Sequence, residues 1–99
     1  MDVVAAQNDE LAAGARSAVE ALTNAAHREL LAKARFLGVD ACPGYGQKLV
    51  DSGRLFASVT TPANTGEAVR ALKRFWDSGA PLALKSFTEP TPYPPTSAR

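Results

Sequence analysis

The chain has 99 residues, 45% of them hydrophobic and 21% charged, with a net charge of +1. That length allows at most one small domain, and a near-balance of charge without any Lys/Arg stripe argues against nucleic acid as a partner. No apolar run approaches the ~20 residues that span a membrane, and the single cysteine, Cys42, allows neither an internal disulfide nor a cysteine-based metal site.

The first predicted element is a strand from Val3 to Gln7, which stops abruptly at Asn8 and Asp9. An alanine-rich helix follows at once, over about Asp9 to Leu22, with Leu11, Ala15, Val19 and Leu22 on one face. Asn8 is placed to cap it, and Asp9 and Glu10 suit the positive end of its dipole. Gly14 lowers its stability, and its bareness would let the helix lie close on a sheet. Taken alone, Asn8 reads as a cap, because caps are common and ligand contacts few. The segment from Ala25 to Ala34 has a helical pattern and reads as a short extra helix carrying the lone His27 beside Arg28 and Glu29.

Phe36 to Val39 is the second predicted strand, ending at Asp40. After a Pro/Gly turn, Gly44 to Asp51 forms a short helix that buries Leu49 and Val50 and stops at Ser52-Gly53. Leu55 to Thr60 is the third strand, in which Leu55, Ala57 and Val59 alternate with Phe56, Ser58 and Thr60. A last helix runs from about Thr65 to Ser78 with Ala68, Val69, Leu72, Phe75 and Trp76 on its apolar face, capped by Gly79 before Pro81. Leu82 to Phe87 reads as a further short strand. From Thr88 onward Pro90, Pro92, Pro94 and Pro95 predict an extended, poorly packed tail. The division expected is therefore a folded unit over residues 1–88 and a Pro-rich tail over 89–99. Alternation of strands and helices implies an α/β fold with parallel strands joined by right-handed crossovers. In such sheets ligands bind at the carboxyl ends of the strands.

Three elements resemble, in the same order, the carboxyl-terminal part of the ribose/galactose-type periplasmic sugar-binding proteins: Ala6-Gln-Asn-Asp-Glu10, Gly38-Val-Asp-Ala-Cys-Pro43 and Gly53-Arg-Leu-Phe-Ala-Ser-Val59. The likeness covers about Asp2 to Phe87. It implies part of one lobe of a type I periplasmic-binding-protein clamshell: a partial doubly wound parallel sheet of about three strands with flanking helices. In the family order 2-1-3-4-5 the matched strands are the third to fifth. The neighbour of the first matched strand is then absent, leaving an apolar edge at Val3 to Ala6 that invites a second copy, giving a homodimer, or a complementary chain.

The resemblance also implies the chemistry. Sugar hydroxyls both donate and accept; a carboxylate can accept from two neighbours, and an amide can do both. The family's ligand-binding positions at the strand ends fall on Asn8 and Asp40. The chain departs from the family in having Val39 where an aromatic residue often precedes the Asp, and Thr60-Thr61-Pro62 where a Gln often touches ligand. Thr61 can supply a hydroxyl there, and Tyr45 and Asn64 lie on loops at the same edge.

The function expected is a sugar-binding module of a transport or chemoreception system, incomplete alone, taking a monosaccharide shared with a missing lobe. In the full-length family the partner is a transporter permease. The alternatives are the effector-sensing part of a sugar-responsive transcription regulator and a partner-dependent structural piece without ligand. No cofactor, metal or catalytic residue is expected: no nucleophile–His–acid set or P-loop occurs, and Leu49 stands where a dinucleotide fingerprint starting at Gly44 would need glycine. Met1-Asp2 is acidic and no signal peptide follows. The chain as it stands is therefore expected in the cytoplasm, and in the periplasm only as part of a longer exported protein.

Overall fold

Val3 to Ala5 forms strand β1 and Arg35 to Leu37 forms strand β2, and the two pair in parallel with Val4 opposite Phe36. Our computed structural model describes residues 2 to 96, so Met1 and positions 97–99 of the predicted tail lie outside the described residues. Between β1 and β2 run helix α1 (Asp9–Glu20) and helix α2 (Ala25–Ala32). Helix α3 (Gly46–Asp51), strand β3 (Ser58–Thr60), helix α4 (Asn64–Ser78) and strand β4 (Thr91–Tyr93) follow. The fold is mixed α/β with small sheets.

The expected three-stranded parallel sheet is not formed as one ladder. Among the described residues only β1 and β2 make a regular parallel pair, and β3 pairs antiparallel with β4. The segment 56–60 runs beside β2 through isolated parallel bridges, Leu37 with Ala57 and Asp40 with Thr60. Its hydrogen bonds are spaced: Phe56 N donates to Phe36 O at 2.8 Å, Gly38 N to Ala57 O at 3.1 Å and Asp40 N to Val59 O at 2.8 Å. The predicted strand Leu55 to Thr60 is regular only at its end because Leu55, 1% exposed, turns inward as a core plug.

The core is Ala12, Ala34, Phe36 and Leu55, with Val4, Ala6, Ala15, Val19, Leu49 and Val50 packed against it. Leu49 and Val50 are thus used as their helical pattern suggests. Helix α1 is rotated slightly from the expected face: Ala15 and Val19 pack on the core as expected, but Ala12 is fully buried and Leu11 more than half exposed. The cause is Asp9, which is buried and shares a face with Ala12 and Val19 at helical spacing. Gly14 faces open space and provides no close approach. At the far end of α1, Arg54 donates to Glu20 and to Ser17, and Arg16 donates to the carbonyls of Gly53 and Arg54. The hydrogen bond from Arg54 holds the Glu20 carboxyl below its ordinary pKa.

Two further expectations are corrected. Leu82 to Phe87 is not a strand; Leu84 is fully exposed and Phe87 nearly so. The place beside β3 is taken by β4, with Val59 opposite Pro92. The tail is therefore not uniformly unpacked: Thr91 to Tyr93 is an edge strand, where a proline's missing N–H is tolerated. The Tyr93 hydroxyl donates to Asp51 Oδ1 at 2.9 Å, and this bond pushes the phenol's pKa up. Helix α4 has the predicted span within one residue, and Gly79, at φ 68°, caps it by donating to Phe75 O. No residue of α4 is buried.

Candidate functional site at the carboxyl edge

The parallel register carries the chain out of β1, β2 and the segment 56–60 at one edge. Asp9 N donates to Val39 O at 3.0 Å, and Asp40 N donates to Val59 O at 2.8 Å. These two bonds tie the residues after each strand together across the edge. Asn8, Asp40 and Thr61 therefore stand on successive segments of the same side.

Their side chains are differently engaged. Asn8 Oδ1 accepts from Leu11 N at 2.8 Å, the N-cap bond of α1. Its acceptor is thus committed to the helix, and the Nδ2 group, with no acceptor among the described residues, is what it can offer a ligand. The Thr61 hydroxyl donates to Asp40 Oδ1 at 3.1 Å, so the structure brings these two into contact. Asp40 is exposed, and its Oδ2 accepts from no group among the described residues. Its backbone is at φ 95°, and Ala41 follows at φ 43°. Both are unfavourable for residues with a Cβ, and such outliers persist only where the surroundings impose them. Here the imposing group is visible: Ala41 N donates to a buried carboxylate.

That carboxylate is Asp9, 3% exposed. Its Oδ2 accepts from Ala41 N at 2.8 Å and its Oδ1 from Ser58 Oγ at 2.5 Å. One side chain thus joins the start of α1, the turn after Asp40 and β3. Gly38 and Gly46 enclose it: a Cβ on Gly38 would lie 2.0 Å from Oδ1, and one on Gly46 2.0 Å from Oδ2. Sequence reasoning placed Asp9 at the helix dipole and missed this role. The only local signal was a pair of glycines flanking Asp40, and neither points to Asp9 by spacing.

Of the weaker candidates, Asn64 Oδ1 accepts from Thr88 Oγ1 at 2.7 Å, which draws it toward the segment after α4. Tyr45 occupies the N-cap position of α3 without a side-chain cap bond and is half exposed. Hollows among the described residues lie along α4 and toward the other end of the strands, and Asn8, Asp40 and Thr61 line none of these. One of 320 Å³ lies toward the other end of the strands among Arg16, Ala34, Arg35, Gly53 and Phe56, where the Arg35 guanidinium stacks 4.5 Å over the Phe56 ring. At the carboxyl edge Asp40, Thr61 and Tyr45 are exposed and Asn8 is half-buried, so the edge is a polar surface open to solvent.

His27 and Cys42 are exposed; the Cys42 carbonyl accepts from Tyr45 N and Gln47 N in the turn after Ala41. Among the described residues no three His, Cys, Asp or Glu side chains converge as a metal site, and no helix is long and apolar enough to cross a membrane. No family model, curated protein or solved structure matches the chain.

Proposed function

We propose that this chain is a solute-binding module, one face of a sugar site in a type I periplasmic-binding-protein-like lobe, and that it is incomplete on its own. The observation that carries the reading is the tie across the carboxyl edge, Asp9 N to Val39 O and Asp40 N to Val59 O, which sets Asn8, Asp40 and Thr61 on one side. In this reading Asp40 Oδ2 accepts from sugar hydroxyls, Asn8 Nδ2 donates to another, and Thr61 steadies Asp40. The segment 56–60 acts as the third parallel strand. Residues 1–88 belong to the lobe and 89–99 are an appendage whose Thr91 to Tyr93 closes the sheet at β3. The outer side of β1, from Val3 to Ala6, takes a strand from a complementary chain or a second copy, which would cover the half-exposed Val3. The ligand is a monosaccharide or a small solute of like polarity, and the second wall of the site comes from another lobe.

A one-sided site leaves its hydrogen bonds in competition with water. Calorimetry of the chain against a panel of pentoses and hexoses is therefore expected to show weak binding, with heats at or below what the method resolves. Micromolar affinity that survives Asp40→Ala would refute both the incompleteness and the assignment of Asp40.

A further inference from the structure

Helix α4 buries none of its residues; the segment after it runs along Asn64, Ala71 and Arg74 and leaves the arc around Leu72 exposed. Trp76 is 75% exposed and Val69 60%, with Leu72 and Phe75 about two-fifths exposed. At 100° per residue these four and Ala68 form one arc, and Glu67, Arg70, Arg74 and Asp77 lie on the opposite side. Three of those charges are already paired along the helix, Glu67 with Arg70 at 2.5 Å and Asp77 with Lys73. Burying the apolar arc would strand none of them.

The molecule as a whole has surface to bury. Its radius of gyration is 18.4 Å, against about 13 Å for a compact chain of this length. Its accessible surface is 7247 Å², against about 5,400 Å² for a compact monomer of its mass. The excess of about 1,800 Å² is more than the ~800 Å² that each partner contributes to a standard interface.

We propose that α4 is a self-association surface, on which a second copy of this chain lays its own α4 antiparallel about a two-fold axis at Leu72. The spacing of the arc supports a second copy as occupant. Val69 and Phe75 stand three residues on either side of Leu72, and Ala68 and Trp76 stand four. In the antiparallel pair the largest side chain, Trp76, meets the smallest, Ala68; Phe75 meets Val69; and Leu72 meets its own copy. Large faces small on either side of the central Leu72 pair, as interdigitating helices require. The two helix dipoles oppose, and a two-fold pairing uses one patch and closes, whereas two unlike patches would build open chains. This interface is separate from the β1 edge and does not depend on any ligand.

Sedimentation equilibrium of the full chain tests it, with Leu72→Lys and with Leu72→Cys and Arg70→Cys each in a Cys42→Ala background. The wild-type chain is expected to sediment as a dimer, and Leu72→Lys, which sets like charges face to face, as a monomer with unchanged far-ultraviolet dichroism. Oxidation should cross-link Leu72→Cys into a covalent dimer and leave Arg70→Cys, on the far side of the helix, uncross-linked. A wild-type monomer at every soluble concentration would overturn the proposal. So would a dimer indifferent to Leu72→Lys, which would move the contact to the β1 edge. A monomer whose Trp76 emission shifts only on adding phosphatidylserine–phosphatidylcholine vesicles would overturn it in favour of a lipid surface.

Discussion

Replacing Asp9 with alanine is expected to lower stability by about 3–5 kcal/mol, because two buried donors lose their acceptor and each unpaired one costs about 1–3 kcal/mol. The donors are Ala41 N–H and Ser58 Oγ–H, which come from two different segments of the chain. Their loss would release the turn after Asp40 and the start of β3 together. Small domains sit at the low end of the ~5–15 kcal/mol range, so this single change should leave the chain only marginally folded. Asp9→Asn should cost less. Its amide oxygen can still accept from Ala41, and its NH₂ can donate to a reoriented Ser58 hydroxyl. Urea denaturation followed by dichroism measures both. A midpoint for Asp9→Ala no lower than that of the exposed Glu10→Ala would remove Asp9 from the centre of the fold.

Gly46→Ala is expected to destabilise by about 3 kcal/mol, the upper range for overpacking a tight site. Its new Cβ would sit 2.0 Å from Asp9 Oδ2 and 3.0 Å from the Ala41 Cα. The carboxylate cannot retreat, because Gly38 closes the other side against Oδ1. Gly14→Ala is the contrast: nothing lies within 4 Å of its Cβ, so helix propensity alone acts and should stabilise by up to about 1 kcal/mol. The pair Gly46→Ala and Asp9→Ala should be less than additive, since each removes the contact the other disturbs. Calorimetric melting of the four proteins decides this, and equal effects for Gly46→Ala and Gly14→Ala would contradict the packing around Asp9.

The parts of this structure that the sequence made legible are those set by near neighbours. The stop at Asn8 after an apolar run, the pattern of Leu49 and Val50, and Gly79 as a cap depend on residues within a turn or two. The placement of Asn8 and Asp40 at strand ends followed from the same punctuation. Asp9 was not legible because its burial is created by Gly38, Gly46 and Ser58, which adjoin it only after folding. The rotation of α1, with Leu11 outward and Ala12 inward, follows from Asp9 and was hidden with it. Leu82 to Phe87 has the right residues for a strand, but the place beside β3 is taken by the proline-bearing Thr91 to Tyr93. Amphipathicity in α4 showed that a face was made to be covered. It carried no information on whether the sheet or another molecule would cover it.

The central claim, that the carboxyl edge presents Asn8, Asp40 and Thr61 to a polar solute, is tested most directly by titrating the isotopically labelled chain with pentoses and hexoses up to saturating concentration and following its amide resonances. The account predicts small, fast-exchange shifts confined to residues 8, 40 and 61 and their immediate neighbours, abolished by Asp40→Ala without loss of dispersion. Shifts clustered instead around Arg16, Arg35 and Phe56 at the opposite end of the strands, or no shifts with any sugar, would contradict it.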